Sequence, residues 1–146
     1  MTTEPRLNTV LHNLKEAGFP KCERIVSKKL MDELFENGHS HSLTVFPLRA
    51  IYMSRENESI ESWQTVTQVL VSVSKRHFKH AVDRNRVKRQ VREAYRQNKQ
   101  LLWSSIPENR QVFVAFIWLS DELMPSSRVT RSVKTILTKI GEKTRR

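Results

Sequence analysis

Residues 66–100 read VTQVLVSVSKRHFKHAVDRNRVKRQVREAYRQNKQ, and the hydrophobic period changes once along them. Over 66–74 it is two. Val69, Val71 and Val73 share one face and Leu70 and Ser72 the other, which predicts a strand. From about Asp83 to Trp103 the period is that of a helix. At 100° per residue, Val87, Val91, Ala94, Tyr95, Leu101 and Leu102 fall within roughly a third of the circumference. Asp83 is placed to cap the start, where an acid suits the helix dipole. A strand running straight into a long helix sets the fold class.

The flanking segments extend that unit. VFVAFIWL over 112–119 is apolar on both faces, as in a strand at the centre of a sheet or covered on both sides. Pro125-Ser126-Ser127 opens a last helix with Val129, Val133, Ile136, Leu137 and Ile140 in one stripe. Upstream, LTVFPLRAIY over 43–52 is strand-like, with Pro47 demanding an edge position or a bulge. The polar and acidic 54–65 is expected as a long hairpin connection. Ser27 is placed to cap an earlier helix whose Leu30, Met31, Leu34 and Phe35 share a stripe and which Gly38 ends. Leu7, Val10, Leu11 and Leu14 suggest a short helical segment within an N-terminal extension over 1–20. The expected organisation is an α+β sandwich: one domain over 21–141 and a basic tail over 142–146.

Composition narrows the function. The chain has 146 residues and a net charge of +11. Its three glycines (Gly18, Gly38, Gly141) are dispersed, which removes glycine-rich phosphate loops and dinucleotide fingerprints. Cys22 has no internal partner, so a reducing compartment fits. The run 112–119 is too short to span a bilayer, which takes about 20 apolar residues. MTTEPRLNTV lacks the apolar core of a signal peptide. The expectation is a soluble cytoplasmic protein with no membrane contact, whose default partner is a polyanion.

The charge is concentrated. Residues 75–99 hold ten basic side chains against Asp83 and Glu93, a net +8 of the +11. On the helix, Arg84, Lys88, Lys99, Arg92, Asn85, Arg96 and Arg89 cover an arc of about 140° with no carboxylate inside it; Arg86 projects elsewhere. Like charges at i,i+4 repel, and a merely solvated helix would intersperse acids. Arginine's planar fork also suits phosphates and base faces. The arc points to nucleic acid, with RNA and DNA both open.

Ser74-Lys75-Arg76 followed by Ala81-Val82-Asp83-Arg84-Asn85-Arg86-Val87-Lys88-Arg89-Gln90-Val91-Arg92 resembles the signature of the bacterial ribonuclease P protein component. In that family a strand ending in Ser-Lys-Lys leads to a helix with Arg-Asn-x-x-Lys-Arg-x-x-Arg. The likeness extends more weakly over about 22–141. Lys79-His80 stands where the family often has Gly-Asn, and Met31 where its first helix usually has an aromatic. The resemblance implies an α/β sandwich with a mixed sheet of about four strands, three main helices and a left-handed βαβ crossover. Bottom-up rules would have favoured the right-handed form. It further implies the protein subunit of a ribonucleoprotein that removes the 5′ leader of precursor tRNA, with the RNA subunit hydrolysing the bond using Mg²⁺. Lys75, Arg76, Arg84, Asn85, Lys88, Arg89, Arg92 and Arg96 would bind RNA. Arg24, Met31, Phe35 and Arg49 would border a leader cleft; for Met31 and Phe35 the competing reading is core packing. The protein itself would hold no cofactor and need no protein partner. A ribosomal or general RNA-binding protein is the alternative. A protein-only nuclease would need positioned acids or histidines, and none can be assembled; the five histidines lack metal-ligand spacing.

Overall fold

The computed structural model describes residues 24–25, 28–36, 38, 40–56, 67–107 and 110–144. The expected helical segment at 7–14, the Ser27 cap and most of the 54–65 connection lie outside them. The described elements are, in order, α1 (Lys28–Glu36), β1 (His41–Val45), β2 (Leu48–Glu56), β3 (Thr67–Ser72), α2 (Ala81–Asn98), α3 (Gln100–Trp103), β4 (Arg110–Trp118) and α4 (Ser126–Thr144). The strands form one mixed sheet in the order β1-β2-β4-β3. Only the β3–β4 pair is parallel.

Four expectations are corrected. The single strand over 43–52 is a hairpin: Phe46-Pro47, joined by a cis peptide bond, turns the chain, and Val45 pairs with Leu48. A proline has no N–H for a ladder, and here it lies between strands rather than within one. The connection after β2 does not join neighbours, because β4 stands between β2 and β3. A strand apolar on both faces gains most from the centre, where both faces are covered. The long helix begins at Ala81 with His80 at the cap position, leaving Asp83 in the first turn, and it breaks at Lys99. The last helix runs to Thr144, into the segment read as a tail.

The two sheet faces are covered unequally. Leu48, Ala50, Tyr52, Val69, Val71, Val112, Val114, Phe116 and Trp118 point to the side packed by α2 and α4, and form the main core. The predicted stripes of both helices meet them, with Val87, Val91, Val129, Val133, Ile136, Leu137 and Ile140 fully buried. At about 25 cal/mol per Å² of apolar surface this layer dominates stability. Thr67 pairs two of its polar groups, since Trp103 Nε1 donates to Thr67 Oγ1 at 2.7 Å and Thr67 also bonds the Tyr95 hydroxyl, whereas Trp118 Nε1 has no hydrogen-bond partner among the described residues. Among the described residues the opposite face carries only α1, whose Leu30, Met31 and Leu34 pack with Ile25, Ile51, Met53, Leu70, Phe113 and Ala115.

Candidate nucleic-acid interface

The α2 arc divides into free and engaged groups. Asn85 and Arg89 are exposed, and Lys88 and Arg92 half-buried. Among the described residues no carboxylate pairs with Lys88, Arg89 or Arg92. Arg84 instead donates to the carbonyls of Phe78 at 2.8 Å and Lys79 at 3.1 Å, closing the turn before the helix. Arg96 is held by Glu93, its Nε donating to Oε2 at 2.9 Å, with Gln97 also donating to that carboxylate at 3.0 Å. The hydrogen bond from Arg96 holds Glu93 below the usual carboxylate range and raises Arg96 in turn.

Lys99 does not belong to the arc. Its side chain is only 2% exposed and its Nζ lies 4.8 Å from the centre of the Trp103 ring. Lys99 follows Tyr95 by one turn, so its aliphatic stem continues the buried stripe. The helix break at this residue also turns Leu101 outward, against its expected place in the stripe. A wheel extended through a break assigns faces wrongly.

Arg24 lies beyond β3, where it forms an isolated bridge with Val69 while Ile25 N–H donates to the Val69 carbonyl at 3.1 Å. Arg92 is held below the ordinary arginine value first by burial and then by the charge of Arg24, which places the two cations near each other. Lys75 and Arg76 project from the turn after β3. Ser74 organises that turn: its Oγ accepts from Arg76 N–H at 3.1 Å and its carbonyl from His77 N–H at 3.1 Å. His77 Nδ1 then lies 2.7 Å from Asp121, tying the turn to the segment after β4.

The α1 side of the sheet is the candidate groove. Glu33 on one flank of α1 pairs with Arg55, whose guanidinium lies 5.7 Å from the centre of the Phe113 ring. Met31 and Phe35 project about 160° from Glu33 on the wheel, and on the same sheet face Thr44, Arg49, Ile117 and Ser72 are aligned in one row by register. Arg49 is exposed and Ile117 half-buried. Phe35 is 45% exposed, which removes it from the core, whereas Met31 packs partly against the second cluster. Ile117, Ser72 and the Glu33–Arg55 pair escaped the sequence reading. The alternation Arg49, Ile51, Met53, Arg55 signals them once the hairpin is placed at Phe46-Pro47. Among the described residues no three His, Cys, Asp or Glu converge as metal ligands would, and no helix is long and apolar enough to cross a membrane.

Comparison with known proteins agrees with this geometry. A family profile described as Ribonuclease P matches residues 19–141. The ribonuclease P protein component of Porphyromonas gingivalis is 38% identical over 126 residues, covering 85% of this chain and 87% of that protein. That of Chlorobium phaeobacteroides is 35% identical over 101 residues, 69% of this chain and 67% of its own. Among solved structures, the RNase P protein of Thermotoga maritima matches with a TM-score of 0.58 at 21% identity, over 80% of this chain and 94% of that one. The Staphylococcus aureus RNase P protein gives 0.57 at 21% identity, with 80% and 94% covered. With the profile spanning the sheet, the groove and the arginine helix together, the chain belongs to the ribonuclease P protein family.

Proposed function

We propose that this protein meets two RNAs on two surfaces: the RNase P RNA along α2, and the single-stranded 5′ leader of precursor tRNA in the groove beneath the sheet. The chain is the protein subunit of ribonuclease P, the holoenzyme that processes tRNA 5′ ends. The observation that carries the finer reading is the pairing of an uncompensated cationic helix with a separate groove that has one exposed aromatic. Lys88, Arg89 and Arg92, with Asn85 beside them, suit the phosphates and edges of a folded RNA. Phe35, Met31 and Arg49, with Arg24 at the β3 edge, suit unpaired bases and their backbone, which want flat or apolar side chains and nearby cations. Arg84 supports the turn from beneath rather than reaching out, and Arg96 reaches RNA only by leaving Glu93.

Hydrolysis, on this reading, belongs to the RNA subunit with its Mg²⁺; the protein positions substrate and supplies counter-charge. The protein's part, on the same reading, is binding. The test is cleavage of a leader-bearing precursor tRNA by carefully RNA-free protein, by RNA alone and by both at low Mg²⁺. Cleavage at the mature 5′ end only by the combination is expected. Robust site-specific cleavage by the RNA-free protein would overturn it.

A further inference from the structure

One exposed aromatic is absorbed by neither surface. Phe46 is 50% exposed at the tip of the β1–β2 hairpin. It is held firmly there: Ser132 Oγ donates to its carbonyl at 3.0 Å, and Leu119 N–H donates to the Pro47 carbonyl at 2.9 Å. The Arg128 guanidinium lies 6.0 Å from the centre of its ring. Arg128 begins a second basic face, because residues 126–139 of α4 contain Arg128, Arg131, Lys134 and Lys139 and no acid. All four side chains are exposed. Among the described residues no carboxylate pairs with them. The first turn of α4 is fastened to the middle of α2, where Gln90 Nε2 donates to the Met124 carbonyl at 3.0 Å and to Ser126 Oγ at 3.1 Å.

We infer that Phe46 and Arg128 form a stacking site for one unpaired base of the RNase P RNA, with Arg131 and Lys134 receiving the adjoining phosphates. Aromatic rings with arginine beside them bind single-stranded bases through stacking and cation–π attraction, whatever the base. The occupant follows from placement. Phe46 touches α4, which packs beside α2 on the sheet face that bears the surface assigned to the RNA subunit, whereas the proposed leader groove lies on the opposite face. The inference therefore rests on the α2 reading and adds to it a contact at the far edge of the same layer.

The test measures affinity of the full-length protein for the RNase P RNA of the same organism, with Arg89→Ala as reference. Phe46→Ala should weaken binding about 5- to 150-fold, the range for losing one stacked base, and Phe46→Trp should restore it. Arg128→Gln leaves the turn intact and should weaken binding in the same direction. Thermal melts of all variants should match the wild type, since the ring is half in solvent. A wild-type affinity in folded Phe46→Ala, while Arg89→Ala binds weakly, would overturn the stacking site and leave the α2 reading standing. Failure of the wild type to bind this RNA would overturn both. A photo-crosslinker at position 46 of the assembled holoenzyme should mark the RNA subunit; labelling only the precursor tRNA would refute the assigned occupant.

Discussion

Arg84 and Arg89 carry the same group on the same helix, yet their surroundings divide them. Arg84 spends its donors on the Phe78 and Lys79 carbonyls, so Arg84→Ala leaves backbone acceptors without a partner and should lower stability by about 1 kcal/mol. Arg89 points to solvent. Arg89→Ala should leave the melting temperature unchanged and flatten the log–log salt dependence of RNA binding by about 0.7–0.9. Melting curves and filter binding at several salt concentrations separate the two; equal loss of stability in both variants would contradict the division. Arg86, pointing away from the arc, should change binding less than Arg89. Glu93 offers a substitution in the opposite direction. Its carboxylate restrains Arg96, so Glu93→Gln should release that guanidinium, tighten RNA binding and steepen the salt slope. Because the folded state lowers the Glu93 pKa, the ion pair stabilises above the ordinary carboxylate value of about 4.3. That contribution is lost as pH falls through the lower folded value. At an exposed i,i+3 site it amounts to a few tenths of a kcal/mol, so the effect should show in RNA binding rather than in melting.

At the scale of elements, packing tests the helix layer. A Cβ on Gly141 of α4 would stand 3.0 Å from Ser105 Cβ and 3.5 Å from the Leu101 carbonyl oxygen. Gly141→Leu should therefore cost about 1–3 kcal/mol by overpacking, read as a lower urea midpoint with an unchanged m-value. A midpoint at or above wild type would show that the α3–α4 contact is looser than the structure has it. The same elements mark how far a sequence can be read. The α4 stripe and the β3 alternation were legible because each periodic run is unbroken and faces one core. β4 announced its central place by being apolar on both faces. The hairpin at Phe46-Pro47 was hidden because β1 and β2 are both strand-like and no glycine marks the turn. The break at Lys99 was hidden because 99 and 100 are both good helix formers. The groove was half legible: the α1 stripe was visible, but which of Met31 and Phe35 escapes burial depends on how α1 tilts over the sheet, and the Glu33–Arg55 pair spans distant segments.

The whole molecule puts cations on the helix layer and along the β3 edge, and an exposed aromatic, Phe35, on the opposite side of the sheet. If two RNAs occupy the two layers, damage to one layer should not resemble damage to the other. Phe35→Ala removes an exposed wall of the groove, so the protein should stay folded; a core phenylalanine would instead cost about 3–5 kcal/mol. In the assembled holoenzyme its affinity loss should depend on leader length: about 1–3 kcal/mol for a precursor with several leader nucleotides, the scale of one base–aromatic stack, and almost nothing for a one-nucleotide leader that cannot reach the ring. Arg89→Ala should weaken assembly with the RNA subunit, and once RNA is saturating its effect should be the same for both leaders. The measurement is a double difference, variant against wild type and long leader against short, with RNA concentration as a third axis and melting curves as control. An equal loss for both leaders in folded Phe35→Ala would remove Phe35 from the groove. A leader-length dependence in Arg89→Ala at saturating RNA would show that the leader reaches α2, joining what the sheet here divides, and Arg24 beside Arg92 would be the place where it crosses.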